Sequence, residues 1–363
     1  MTAFSRRTLF GARGAAAGDM SRRRLLAGGA AVGAGVLLSA CTSNEAAPTN
    51  TQTQAANQGN PNSEPGETVT IGFSAPAADH GWLAAITNNA RAQAEAYSDV
   101  EFLTVEAGAD AAAQRAALDT LISQSPDVIV MLPHDGAELT ASGLQAMEAG
   151  IPVVNLDRAF TQALAYRTQI KGDNYGMGVS AGNFIAAQMQ EKGIANPVIA
   201  EIAGIDALEL TQERSAGFKD ALEVHGFTIA NRRAAEFTAD SGQREAANLL
   251  QALPKIDAIW NHDDDQGIGV LAAISQANRS EFIMVGGAGS RAAMEAIQAD
   301  DSVLKATVTY SPSMASSAIS LARLIAQGRG MSDLVELQVP KEIILASETI
   351  TKENASEYLP LGF

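Results

Sequence analysis

The chain is predicted to be an α/β protein built as two doubly wound parallel-sheet lobes, and three observations carry that prediction. Its 363 residues exceed what one ordinary core holds and suit two lobes of common domain size. From residue 69 onward, short apolar runs alternate with amphipathic stretches, the pattern of strands buried on both faces between helices. That rhythm breaks near residues 166–174 and then starts again.

In the first unit, strands are expected at 69–73, 100–105, 127–132 and 152–156. Helices fall at 111–123 and 139–149, and an earlier one carries Ala85, Ile86, Ala90 and Ala94 on one face. In the second unit, helices at 175–191, 213–225, 242–253, 267–276 and 292–299 alternate with strands at 198–203, 228–237, 258–260, 282–286 and 304–309. Ligands of open α/β sheets bind beyond the carboxyl ends of the strands. The polar and aromatic residues just after strands are therefore the candidates: Asp79, His80, Trp82, Asp157 and Arg158 in the first unit. In the second they are Glu236, Phe237, the run His262-Asp263-Asp264-Asp265, and Tyr310.

Residues 1–41 read as an export signal rather than fold. Arg22, Arg23 and Arg24 precede an apolar run over 25–38, and Leu38-Ser39-Ala40 lead into Cys41. A basic stretch, a short apolar stretch and small residues make a secretory signal. Cys41 in that setting resembles a lipobox cysteine, which becomes lipidated. Two twin-arginine patterns, Arg6-Arg7 and Arg22-Arg23, point to twin-arginine export, and Met20 before the second offers an alternative start. Residues 42–67 are polar and small, a composition expected to form a disordered tether. Cys41 is the sole cysteine, so no internal disulfide is expected.

Of 25 basic and 41 acidic side chains, six arginines and one aspartate precede Cys41, leaving 19 against 40 and a net charge of −21. Such a surface repels phosphate backbones, which argues against nucleic acid as a partner. A nucleotide-dependent enzyme is disfavoured as well. The run Gly176-Met177-Gly178-Val179-Ser180-Ala181-Gly182 falls inside a helix, without the strand-to-helix position a dinucleotide loop requires. The Gly-x-Ser-x-Gly pattern at residues 178–182 lies inside that same helix rather than at a strand-to-helix elbow, and His80, His134, His225 and His262 lack metal-ligand spacing. No cofactor is expected. An acid pair such as Asp157 and Asp263 across a cleft leaves a sugar-cleaving enzyme as a minor alternative.

Four segments in order carry a resemblance: 150–158 (Gly-Ile-Pro-Val-Val-Asn-Leu-Asp-Arg), 172–174 (Gly-Asp-Asn), 212–218 (Gln-Glu-Arg-Ser-Ala-Gly-Phe), and Asp263-Asp264 before a glycine-containing helix. With these the chain resembles the ribose-type sugar-binding proteins of ABC transporters, the type I periplasmic-binding fold, over about residues 68–347. The resemblance implies two lobes joined by three hinge crossings that close on a sugar. It implies a first lobe of 68–170 plus about 311–334, and a second of 171–310 plus about 335–350. LacI-type repressors share the fold but begin with a DNA-binding segment, where this chain has an export signal. The expected function is capture of a monosaccharide or sugar alcohol for the membrane subunits of an ABC transporter, by a monomer lipid-anchored outside the cytoplasmic membrane. A sensor or co-receptor for a small polar signal is the alternative.

The resemblance also assigns the ligand contacts. Asp157 and Arg158 match the family's first-lobe pair, and Arg214 matches its second-lobe arginine, whose planar fork holds two oxygens. Asp263 stands where asparagine is usual, and the three acids together also suit a helix N-cap. Trp82 and Phe237 match aromatic platforms for a sugar's C–H faces. Asp79 and His80 neighbour Trp82, and Tyr310 replaces a usual glutamine. Ala288 stands at the position of a hydroxyl-binding aspartate. The ligand is therefore expected to be a shorter polyol, or a sugar with hydroxyl geometry unlike ribose.

Overall fold

The computed structural model describes residues 62–105, 107–331 and 338–363. The export signal, Cys41 and the tether up to residue 61 lie outside the described residues.

Two six-stranded sheets form the body. The first has the order β11-β5-β4-β3-β1-β2, with β1 (Val69–Ser74), β2 (Val100–Thr104), β3 (Val128–Met131), β4 (Val153–Leu156), β5 (Thr168–Gly172) and β11 (Glu342–Leu345), all parallel. The second has the order β12-β10-β9-β8-β6-β7, with β6 (Ile199–Ala203), β7 (Ile229–Ala234), β8 (Ala258–Asn261), β9 (Ile283–Ala288), β10 (Leu304–Thr309) and β12 (Thr349–Thr351). Only β12 runs antiparallel, against β10. The central strands are buried along their whole length, as β3, β4, β6, β8 and β9 show. Helices on both faces exclude water, so apolar residues are favoured at every position rather than at alternate ones.

On the first sheet, α1 (Gly81–Glu95) and α9 (Met314–Ala326) cover one face, and α2 (Ala111–Ser123) and α3 (Gly136–Glu148) the other. On the second, α4 (Asn174–Glu191) and α5 (Glu209–Val224) cover one face. The other carries α6 (Ala239–Ala252), α7 (Asp264–Gln276) and α8 (Arg291–Ala299). A short α10 (Ala355–Tyr358) follows β12. Helix α5 begins four residues before the expected start, and Phe237 lies in a loop beyond β7 rather than in the strand.

Two expectations are corrected. Residues 335–350 were assigned to the second lobe, and residues 171–172 with them. Instead β11 pairs in parallel with β5 in the first sheet, and only β12 joins the second. The cause is the open edge of β5, whose backbone groups need partners: Gln169 N donates to Lys341 O at 2.9 Å and Asp173 N to Leu345 O at 2.8 Å.

The tether was expected to run free to residue 67, yet residues 62–67 are held on the first lobe. Arg323, 2% exposed, pairs with Asp99. It also donates to the carbonyls of Asn62 at 2.7 Å and Glu64 at 2.9 Å. Gly66 N donates to Asp99 Oδ2 at 2.6 Å. The hydrogen bond from Arg323 holds the Asp99 carboxyl well below its usual range.

The glycine run 176–182 is a helix contact. A Cβ on Gly178 would lie 2.0 Å from Arg214 O, and one on Gly182 would lie 2.8 Å from the Ala221 Cβ. These residues let α4 and α5 touch backbone to backbone, which fixes the height of Arg214 on α5. Among the described residues no helix is long and apolar enough to cross a membrane.

Candidate ligand-binding site

Three crossings join the lobes: between β5 and α4, between β10 and α9, and between β11 and β12. Beside them, the carboxyl ends of both sheets face a small pocket. It is lined by His80, Trp82, Asp157, Arg158, Leu210, Arg214, Phe237, Asp263, Ala288 and Tyr310.

Asp157 leaves β4 with a left-handed backbone, φ 63°. A non-glycine residue adopts that conformation at a cost, and its surroundings must hold it there. They do. Its amide donates to Ile170 O at 2.8 Å, and Gln169 Nε2 donates to its carbonyl at 3.2 Å. The buried Asn155 amide donates to Arg158 O at 3.0 Å, while its oxygen accepts from Phe160 N at 3.2 Å. The Asp157 carboxylate accepts from the Tyr310 hydroxyl. Burial raises its pKa, and the Tyr310 hydrogen bond and the charges of Arg158 and Arg214 oppose that rise. Arg158 donates through Nη1 to the His134 and Pro133 carbonyls. Its buried Nε has no protein partner among the described residues. A buried, unpaired donor of this kind is costly.

From the second lobe, Arg214 is 4% exposed. Its Nε donates to Asn174 Oδ1 at 2.9 Å and its Nη1 to His262 O at 3.2 Å. The guanidinium lies 4.5 Å from the Tyr310 ring centre and 5.9 Å from that of Phe237, a cation–π arrangement that steadies it. Asp263 is the N-cap of α7, and its Oδ1 accepts from Asp265 N and Gln266 N. Burial pushes its pKa up to about 6. It therefore both caps the helix and lines the pocket. Tyr310 is wedged over Gly172, where a Cβ would lie 2.1 Å from the ring. Trp82 Nε1 donates to Tyr310 O at 2.9 Å, with the two rings 5.8 Å apart.

Eight of the nine predicted contacts thus share one pocket. Asp79 does not: it is exposed, bonded to His80 Nδ1 at 2.5 Å, and lines only an outer chamber with His80, Arg158 and Phe237. His262 is also elsewhere, fully buried against Glu201 at 2.9 Å. The sequence reading missed Leu210 and Asn174, and the part played by Asp264. That last carboxylate accepts from Gly287 N, Gly289 N, Ser290 N and Thr307 Oγ1 at 2.8–3.0 Å, and burial pushes its pKa up to about 7. The cluster of backbone amides in Gly286-Gly287-Ala288-Gly289 was the available signal, since such a loop needs an acceptor. A second chamber adjoins the pocket at Asp157 and Arg158, lined also by Asp135, Thr161, Lys171, Asn174 and Glu213.

Two lobes closing their sheet ends over a small polar pocket define a two-lobed solute-binding protein. The chain belongs to the periplasmic binding protein domain family, matched over residues 71–330, and is a type I periplasmic sugar-binding protein. It is 27% identical over 245 residues to the ribose import binding protein RbsB of Bacillus subtilis, covering 68% of this chain and 77% of that one. It is 26% identical over 273 residues to the D-apiose import binding protein of Paraburkholderia graminis, covering 75% and 83%. An ABC transporter solute-binding protein of Mycobacterium smegmatis, solved with bound glycerol, matches with a TM-score of 0.72 at 26% identity, covering 80% of this chain and 97% of that one.

Proposed function

We propose that the protein captures one neutral monosaccharide or sugar alcohol between its lobes and hands it to the membrane subunits of an ABC importer. The observation that carries this reading is the composition of the pocket: two buried arginines, two buried aspartates and three aromatic rings. The charges balance, so an ionic ligand gains nothing over a neutral one. A polyol hydroxyl donates to a carboxylate and accepts from a guanidinium at once, and such charge-assisted hydrogen bonds are the stronger kind. Trp82, Phe237 and Tyr310 suit the C–H faces of a ring. The relatives' names point the same way, toward pentoses and related sugars.

Asp157, Arg158, Arg214 and Asp263 are the proposed hydroxyl partners, with His80 at the rim. Each lobe supplies one acid and one arginine, so a ligand bridging them favours the closed arrangement by the contacts made only there. The family is one of binding proteins, and the site is read as binding without catalysis. The export signal and Cys41 support a lipid anchor on the outer face of the cytoplasmic membrane, and the chain is read as a monomer.

A thermal-shift screen against pentoses, hexoses in both ring forms, inositols and short polyols tests the reading. A ligand at 100 times its dissociation constant adds about 2.7 kcal/mol of stability, a rise of several degrees. A shift with amino acids or nucleosides and none with any polyol would overturn the sugar reading.

A further inference from the structure

Helix α1, on the first-lobe side of the cleft, is not capped by its own sequence. Its N-cap residue His80 makes no side-chain hydrogen bond to the helix, and its first turn holds no acid. The first four amides of a helix lack intrahelical partners, and the dipole makes that end positive. Here the missing acceptor comes from the other lobe. Asp265, in the first turn of α7, accepts from Trp82 N through Oδ2 at 3.0 Å. A Cβ on Gly81 would lie 2.8 Å from Asp265 Oδ1 and 3.1 Å from Oδ2, so a side chain at residue 81 would press on the carboxylate where it meets the helix end. The cap of α7 itself is Asp263, which leaves Asp265 to reach across. It lines the groove outside the ligand pocket and not the pocket.

We propose that Asp265 is a positioning residue for capture: a helix cap supplied in trans, made when the lobes close and broken when they part. This rests on the reading that the lobes open and close on a ligand. Opening strips the α1 amide of its carboxylate, so Asp265 favours the closed form without touching the ligand. It then raises apparent affinity by the factor by which it shifts the open–closed ratio. Loss of an N-cap corresponds to a factor of about 2 to 30.

The test is an interlobe distance measurement by pulsed electron paramagnetic resonance on the full chain. It uses Cys41→Ser to remove the sole native thiol, with spin labels on cysteines placed at the exposed positions Ala92 and Gln276. Distances are recorded alone and with D-ribose, D-galactofuranose or myo-inositol. Asp265→Ala and Gly81→Ala each move population to the longer distance by about 2- to 30-fold. The double variant moves it no further than either single one, because both remove the same contact. Asp265→Asn, whose side-chain oxygen still caps, stays close to the parent. Unchanged distances in the two alanine variants overturn the latch. Additive effects overturn it too, by assigning the Asp265 effect to α7 alone. If the distances respond as expected while none of the sugars binds, the latch stands and the sugar reading falls.

Discussion

The two lobes carry the same strand order, and their cleft loops match position by position. Strands β4 and β9 hold equivalent places, and each leads into a left-handed residue: Asp157 at φ 63° and Ala288 at φ 87°. Strands β3 and β8 also match. They are followed by His134-Asp135 and His262-Asp263, and each aspartate caps the next helix. The lobes differ in where they put charge. The first places a carboxylate on the left-handed residue itself, against Tyr310 and beside Arg158. The second leaves a methyl there and moves its acids one strand across, with Asp263 in the pocket and Asp264 holding the amides behind Ala288. The left-handed turn is thus part of the scaffold, and the charge on it is a separate choice.

If the second lobe lacks a charge at Ala288, Arg214 must carry most of its grip on the ligand. Arg214→Ala is expected to weaken binding of whichever sugar the screen finds by about 10- to 150-fold, the range for hydrogen bonds to charged groups. Isothermal titration measures it. A loss under threefold would mean that the first-lobe pair holds the ligand almost unaided, and the comparison between lobes would collapse to one working wall.

The buried acids of the second lobe make a different prediction. Burial raises Asp263 to about 6 and Asp264 to about 7, against 3.8 for an ordinary aspartate. Between about pH 4 and 7 the folded protein therefore holds more protons than the unfolded chain, and stability falls as pH rises through that window. Asp99, held low by Arg323, acts the other way: its contribution is present above its ordinary pKa and lost as pH falls below it. Burial lowers the pKa of His262, so its contribution rises over the same window and opposes that fall, and the aspartates are read by comparing the parent with a variant that lacks one of them. Asp263→Asn keeps the cap, since asparagine caps about as well, and should remove its share of the fall. The same change in melting temperature from pH 5 to 7.5 in parent and variant would contradict the raised pKa of Asp263.

Much of this architecture was legible because long apolar runs declare themselves. The buried strands β3, β4, β6, β8 and β9 and most helices fall where periodicity puts them. Strands β5, β11 and β12 did not show: Thr168–Gly172 is mostly polar, Glu342–Leu345 and Thr349–Thr351 are only four and three residues long, and each is completed by pairing along a neighbour's edge. The pocket was legible through the resemblance rather than through periodicity, since Asp157, Arg158 and Arg214 were matched by motif. Within Asp263-Asp264-Asp265 the three roles differ although the chemistry is identical. One caps and faces the pocket, one holds the 287–290 amides, and one reaches the other lobe. Only the rotation of the helix start separates them, and that depends on residues far away in the chain. Asp79 failed for the same reason, its backbone turning its carboxylate outward to His80.

The smallest expected effect isolates the carboxylate from the turn. Ala288→Gly relieves a left-handed alanine, worth about 1–2 kcal/mol. It also loses a buried methyl, about 0.8 kcal/mol, and frees the unfolded chain by about 0.4–1 kcal/mol, so stability should change by less than about 1 kcal/mol. Asp157→Gly gains the same relief but leaves the buried Tyr310 hydroxyl without its acceptor, a further cost of about 1–3 kcal/mol. Chemical denaturation of the two variants compares them directly. A gap between them measures what the first lobe invests in charge at a turn that the second lobe leaves bare. Equal stabilities would mean that Asp157 contributes to folding through its backbone alone, leaving its carboxylate wholly to the ligand.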